Sequence, residues 1–186
     1  MSLRVIAGKA KGRRLKAVDG DTTRPITDRA KESLFNILGG DVIDSKWWDL
    51  FGGTGAVGIE ALSRGAKFVR FSDLNRAPVE TIQYNLKHCH FETQAEVRRA
   101  DSFTYISNQP DVQFEYIYIA PPQYKQLWLK ALELLDGNIE WLTEDGWAIV
   151  QIAPREYRES NPSLVSIDEF EKRQYGNTLF VFYRRK

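Results

Sequence analysis

The chain of 186 residues contains a single cysteine, Cys89, so no internal disulfide can staple it, and a reducing compartment is expected. It has no apolar run approaching 18 residues, which excludes a helical membrane span. The N-terminal stretch is basic but lacks the apolar segment that directs secretion. A cytoplasmic monomer with no membrane partner is therefore the expectation. Internal repeats, low-complexity tracts and linkers are also missing, and only Pro154 to Pro162 reads as a long loop. At this length a single domain with a proper core is expected.

Acid is scarce in one place only. The net charge is +1, but residues 1 to 33 hold nine Lys or Arg against four Asp or Glu, while the other 153 residues hold 17 against 21. Basic character is thus concentrated at one end. There "RVIAGKAKGRRLK" carries Arg4, Lys9, Lys11, Arg13, Arg14 and Lys16 with no acid at all. Val5, Ile6 and Leu15, with Gly8 and Gly12 between them, predict two short strands around a turn, a basic hairpin presented as a unit. Clustered cations on an ordered element are the footprint of a phosphate backbone. The plainer reading is a solvated tail.

Beyond residue 27 apolar spacing alternates between helical and strand periods, which predicts an α/β sheet. Thr27 is placed to cap a helix through Leu38 that Gly39-Gly40 ends. Strands are expected near 46–50, 67–72, 95–99, 114–119 and 146–152, with helices near 55–64, 76–89, 102–107 and 125–136. The tail differs: "EFEKRQ" and "TLFVFYR" flank Tyr175-Gly176-Asn177 with no room for a crossover helix, so an antiparallel hairpin closes the sheet.

The densest motif is "WWDLFGGTGAVGIEALSRGA". Gly53, Gly55 and Gly58 match G-x-G-x-x-G between a predicted strand and helix, with Asp73 about twenty residues on. Glycines let a ligand approach the backbone, the helix start supplies free N–H donors, and a carboxylate ending the second strand can grip a ribose diol. Asp49, just before the loop, would repel a pyrophosphate, which disfavours a dinucleotide-dependent oxidoreductase. A cationic nucleoside such as S-adenosylmethionine suits an acid there. Asp101 and Ser102, ending the third strand, fall where its adenine would lie, although a helix cap explains them equally well.

Three other constellations carry less. His88, Cys89 and His90 are consecutive at a helix end, cannot all face one ion and have no fourth ligand at useful spacing, so no metal is expected. Ser63 lacks a Gly-x-Ser-x-Gly elbow and reads as a helix-end residue. Trp47 and Trp48 alternate across a strand, so at least one should be core.

"DLFGGTGAVGIEALSRGA", "RPITDRAKESLFNIL", "RVIAGKAKGRRL" and "YGNTLF" together resemble the bacterial 16S ribosomal RNA guanine-N2 methyltransferases over nearly the whole chain. The resemblance implies a Rossmann-like class I methyltransferase: a mostly parallel seven-stranded sheet with an antiparallel C-terminal hairpin. It divides the single domain into a basic RNA-docking β-hairpin extension, residues 1–26, and a catalytic core, residues 27–186. It implies that S-adenosylmethionine is held by Asp49, Phe51, Gly53 and Gly55, with Asp73 and Leu74 at the ribose and Asp101 and Ser102 near the adenine. Ribosomal RNA or the small ribosomal subunit becomes the partner, docked on the hairpin cations, and Arg24, Thr27 and Arg29 become candidates for the catalytic face.

One departure stands out. The family carries Asp or Asn, then Pro-Pro and an aromatic residue, at the end of the fourth strand, whereas this chain has Ala120, Pro121, Pro122 and Gln123, with Tyr124 one position late. A guanine amine is a poor nucleophile, so acceptors on its N–H bonds matter, and Ala120 offers only its backbone carbonyl. Three readings remain open: an RNA methyltransferase with a rebuilt site, a methyltransferase for another nucleic-acid acceptor, and an RNA-binding or ribosome-assembly protein that keeps the fold.

Overall fold

The computed structural model describes residues 3–19, 26–123, 125–158 and 164–186. Arg24 and Tyr124, both singled out above, lie outside these residues. In chain order the main elements are α1 (Asp28–Leu38), β1 (Lys46–Asp49), α2 (Ala56–Ser63), β2 (Phe68–Asp73), α3 (Arg76–Cys89), β3 (Ala95–Arg99), α4 (Ser102–Ile106), β4 (Phe114–Ile119), α5 (Leu127–Asp136), β5 (Leu142–Ile152), β6 (Ile167–Tyr175) and β7 (Thr178–Arg185). The strands form one sheet in the order β3-β2-β1-β4-β5-β7-β6. β1 to β5 run parallel, and β7 is antiparallel to both its neighbours, as the tail pattern predicts. The chain moves outward from β1 to β3, then returns to lay β4 on the other side of β1. A crevice therefore opens at the carboxyl ends of β1 and β4, where such sheets bind ligands.

Both sheet faces are covered, so both tryptophans of β1 are core: Trp47 and Trp48 are each fully buried. Trp47 lies 5.5 Å from Phe35 of α1 and 4.7 Å from Tyr116, while Trp48 lies 4.7 Å from Trp141 on the opposite face. Thr27 caps α1 by accepting from the Ala30 N–H at 3.2 Å, and Gly39, at φ 55°, ends it. β5 begins four residues earlier than predicted. The register jumps from Phe114–Leu142 to Tyr116–Trp147, and Gly146 sits in the irregularity where a Cβ would lie 3.1 Å from the Phe114 carbonyl. The polar Thr143-Glu144-Asp145 run hides this first part of the strand from any periodicity.

The third glycine of the motif has a packing role. A Cβ on Gly58 would stand 2.3 Å from the buried Phe71 ring and 2.8 Å from a Val69 methyl group. Gly58→Ala is accordingly expected to cost about 1–3 kcal/mol through overpacking. Urea unfolding checks this as a lowered midpoint at unchanged slope.

The basic N-terminal segment forms a hairpin closed by one antiparallel bridge, Arg4–Arg14, and is stitched to the body. Val5, Ala10 and Leu15 are buried in the main core. Glu60 of α2, fully buried, accepts from the N–H groups of Ile6 at 2.8 Å and Ala7 at 3.0 Å. The Ser63 hydroxyl accepts from Ala10 at 2.9 Å and donates to the Ala7 carbonyl at 2.5 Å, so it is a structural helix-end group. Asn85 of α3 accepts from the Lys16 N–H at 2.7 Å and donates to the Lys16 carbonyl at 3.0 Å. Lys31 is a core ion: its Nζ donates to the Arg4 carbonyl at 2.6 Å and pairs with Glu60 at 3.2 Å. Burial pushes the Lys31 ammonium below its usual range, and Glu60 opposes that shift.

Candidate functional site

Asp49 ends β1 beside the glycine loop and is buried. The Gly58 backbone N–H favours its charged form, yet its Oδ1 has no hydrogen-bond partner among the described residues. Burial raises the carboxyl to about 8; the Gly58 N–H opposes the rise and the nearby Asp73 adds to it. A buried carboxylate oxygen without a donor is costly, and it favours a cationic ligand at this position.

The loop that follows is held in the shape its glycines permit. Gly53 and Gly55 adopt φ 54° and 76°, in the left-handed region. Gly52, which the motif does not count, is equally constrained, since a Cβ there would lie 2.7 Å from Ile82 of α3. Asp73, at the end of β2, accepts from Gly53 at 3.1 Å and Asn75 at 3.0 Å, so the acid joins the loop to the second strand. Asn85 donates to the Thr54 carbonyl at 2.9 Å, tying the same loop to the basic segment that it also holds. Leu74, next to Asp73, is 58% exposed, and Phe51 lies 5.6 Å from Phe103. At the end of β3, Asp101 caps α4 by accepting from Thr104 at 2.9 Å, which is the plainer of its two readings. The buried Ser102 hydroxyl donates to the Leu50 carbonyl, so it faces the body.

On the other side of β4 a cleft of about 770 Å³ is lined by Thr27, the cap of α1, and Arg29 of its first turn, Gln123 after the proline pair, Gln151 near the end of β5 and Ala153 just after it, and the β6–β7 turn through Asn177. The structure thus brings Thr27, Arg29 and Gln123 to one wall. It adds Gln151 and the "YGNT" turn, which no local pattern placed beside them. Ala120 packs against the core cluster containing Trp47 and Tyr118. Pro121 is buried, while Pro122 and Gln123 are exposed.

The hairpin cations divide. Arg4 pairs with Asp28 at 2.8 Å, Lys16 pairs with Asp19 at 3.2 Å, and Arg13 donates to the His88 carbonyl. Lys9, Lys11 and Arg14 have no acidic partner among the described residues; Lys9 and Lys11 are exposed and Arg14 is exposed in the same hairpin. Among those residues no group of three or more His, Cys, Asp or Glu is placed to hold a metal ion, and no helix is long and apolar enough to cross a membrane.

Comparison with known proteins bears on this geometry. Residues 3–184 match the family described as Conserved hypothetical protein 95. The chain is 37% identical to YlbH of Bacillus subtilis (strain 168), named as a candidate rRNA methyltransferase, across 99% of this chain and 100% of that one. It is 33% identical to the ribosomal RNA small subunit methyltransferase D of Haemophilus influenzae, across 98% and 92%. Among solved structures, yhhF of Escherichia coli superposes with a TM-score of 0.85 at 26% identity, covering 100% of this chain and 99% of that one. The fold is accordingly the Rossmann-like fold of class I methyltransferases.

Proposed function

The chain belongs to the Conserved hypothetical protein 95 family, and from that premise we propose that it transfers a methyl group from S-adenosylmethionine to the exocyclic amine of a guanine in small-subunit ribosomal RNA. The observation that carries this reading is Asp49, whose buried Oδ1 lacks a donor among the described residues and lies beside a left-handed glycine turn. A pyrophosphate would put negative oxygens against it; an ammonium supplies the missing donors. Asp49 would hold that end of the cofactor, Gly53 and Gly55 would admit it to the backbone, and Asp73 would accept from the ribose hydroxyls. Phe51 and Leu74 would offer apolar cover, with Asp101 and the backbone of Ser102 at the adenine edge, since the Ser102 hydroxyl is turned into the body. When bound there, the cofactor supplies an electrophilic methyl group on a sulfonium.

The base would enter the cleft between α1 and the β6–β7 turn. Its amine has two N–H bonds, which would be donated to two of three nearby acceptors, the carbonyls of Ala120 and Pro121 and the Gln123 side-chain oxygen, in place of the family's carboxylate or amide. Tyr124 is proposed as a stacking partner. Arg24, Thr27 and Arg29 would flank the substrate. In this reading residues 1–26 are the docking extension of a single domain, and Arg4, Lys9, Lys11, Arg13 and Arg14 meet the phosphate backbone. The protein acts in the cytoplasm as a monomer.

Two measurements test this. Incubation with undermethylated small subunits and labelled cofactor, followed by mass mapping of nucleosides, should yield N2-methylguanosine; label on another nucleoside would replace the guanine assignment. Changing Lys9, Lys11 and Arg14 together to glutamine should leave the fold and cofactor affinity intact, because none of these side chains reaches the core. It should lower the salt slope of RNA binding by about 2 to 3, since each phosphate left without its cation removes about 0.7 to 0.9. An unchanged slope would remove the docking role.

A further inference from the structure

One pair at the wall of the cleft has its donors and acceptors fixed by burial. Tyr118 of β4 is in register with Ile149 of β5, so Gln151, two residues further, lies on the same sheet face and nearer the site. The Tyr118 phenol is buried, and its hydroxyl donates to Gln151 Oε1. Gln151 itself lines the cleft.

The two ends of a glutamine amide are chemically opposite, and the phenol decides between them. Burial first, then the nearby Asp49 carboxylate, push the ionisation of Tyr118 well above its usual range, so the hydroxyl keeps its proton. Were the amide turned over, Nε2 would donate to the phenol oxygen and the phenol proton would be left without an acceptor in a buried place. An unsatisfied buried donor is expensive, so the amide keeps its oxygen toward Tyr118. Its two N–H bonds are then directed away from Tyr118, and among the described residues Nε2 donates to no protein group.

We propose that Gln151, oriented by Tyr118, is a specificity-determining residue that donates a hydrogen bond to the keto oxygen of the base in the cleft. This rests on the reading of the cleft as the guanine site. A fixed donor separates purines by the group at C6: guanine offers an acceptor there, whereas adenine or 2,6-diaminopurine presents a donor that leaves both N–H groups unpaired. Sites built on a hydrogen bond reject the analogue that cannot complete it more strongly than apolar pockets reject a wrong shape. Tyr118 is a positioning residue, acting only through Gln151.

The probe is a pair of oligouridine strands, one carrying a single guanine and the other a single 2,6-diaminopurine, which keeps the 2-amine and replaces the keto oxygen. Their dissociation constants are measured with S-adenosylhomocysteine present, and methylation is followed in parallel with S-adenosylmethionine. The natural protein should prefer guanine by roughly 10- to 100-fold. Gln151→Glu keeps an acceptor for the phenol but presents an oxygen to the base, and should bring the preference to unity or reverse it. Tyr118→Phe frees the amide to rotate and should cut the preference toward unity at unchanged cofactor affinity. Gln151→Met gives a second, uncharged loss of the donor. Equal binding of both strands by the natural protein, or an undiminished preference in Gln151→Glu and Gln151→Met, would overturn the assignment. Guanine preference with no product from an undermethylated small subunit would leave the base reading standing and remove the enzymatic one.

Discussion

Changing Asp49 to asparagine is expected to weaken S-adenosylmethionine binding by roughly 100- to 5000-fold, the effect of stripping one partner from a buried ion pair at a cost of about 3–5 kcal/mol. The substitution keeps the shape of the side chain, so the loss isolates charge. It should also change how the free protein responds to pH. The Asp49 carboxyl ionises at 3.8 in an exposed setting and at about 8 in the fold. Between those values the folded state keeps a proton that the unfolded state has released. Stability therefore falls as pH rises, by about 1.4 kcal/mol per pH unit from this group alone. Asparagine has no such proton, and the difference between the two proteins in urea unfolding at pH 5 and pH 8 should disclose it. A cationic ligand selects the ionised carboxylate, so natural affinity should climb with pH up to about 8 and that of Asp49→Asn should stay flat. Calorimetry decides the matter. Tight NAD binding with no response to S-adenosylmethionine would overturn the cofactor assignment.

The parts of this site legible in the sequence share one property: their residues are neighbours in the chain or follow a strand by a set number of positions. Gly53, Gly55 and Asp73 are of that kind, and the hydrogen bond from Gly53 to Asp73 shows why the spacing matters. Asp49 was readable for the same reason. The stitches that hold the basic segment were not. Lys31, Glu60 and Asn85 are polar residues on amphipathic helices, which periodicity assigns to solvent, and Lys16 lies 69 residues from the Asn85 that fixes it. Their signal is spatial, as backbone groups that would otherwise be unpaired. The cleft was half visible. Thr27, Arg29 and Gln123 could be suspected from local motifs, but Gln151 and the Tyr175–Thr178 turn reach it only through the pairing of β5 with β7. Asp101 shows the converse, a motif position whose carboxylate caps a helix.

Changing Ala120 to aspartate is expected to accelerate methyl transfer by no more than about 100-fold, because one charge-assisted hydrogen bond contributes roughly 1.5–3 kcal/mol. The natural protein should already turn over measurably, since alignment of donor and acceptor can supply about 7–11 kcal/mol without that bond. The place of residue 120 in the sheet limits the gain further. Ala120 follows Tyr118 by two residues, and Tyr118 is the register partner of Asp49, so a carboxylate at 120 stands on the same sheet face as an acid already raised to about 8. Like charges push each other's ionisation upward, so the Ala120→Asp enzyme should reach its best rate at higher pH than the natural one. Ala120→Asn separates the terms: it supplies an acceptor without the charge, and should show a rate gain with no displacement of the pH profile. The assay uses saturating cofactor and a small subunit verified as undermethylated. If the natural chain gives no product there while Ala120→Asp does, the protein is an RNA-binding module in which the alanine has switched off the chemistry. Turnover by all three would mean that the carbonyls at the proline pair and Gln123 suffice to hold the amine.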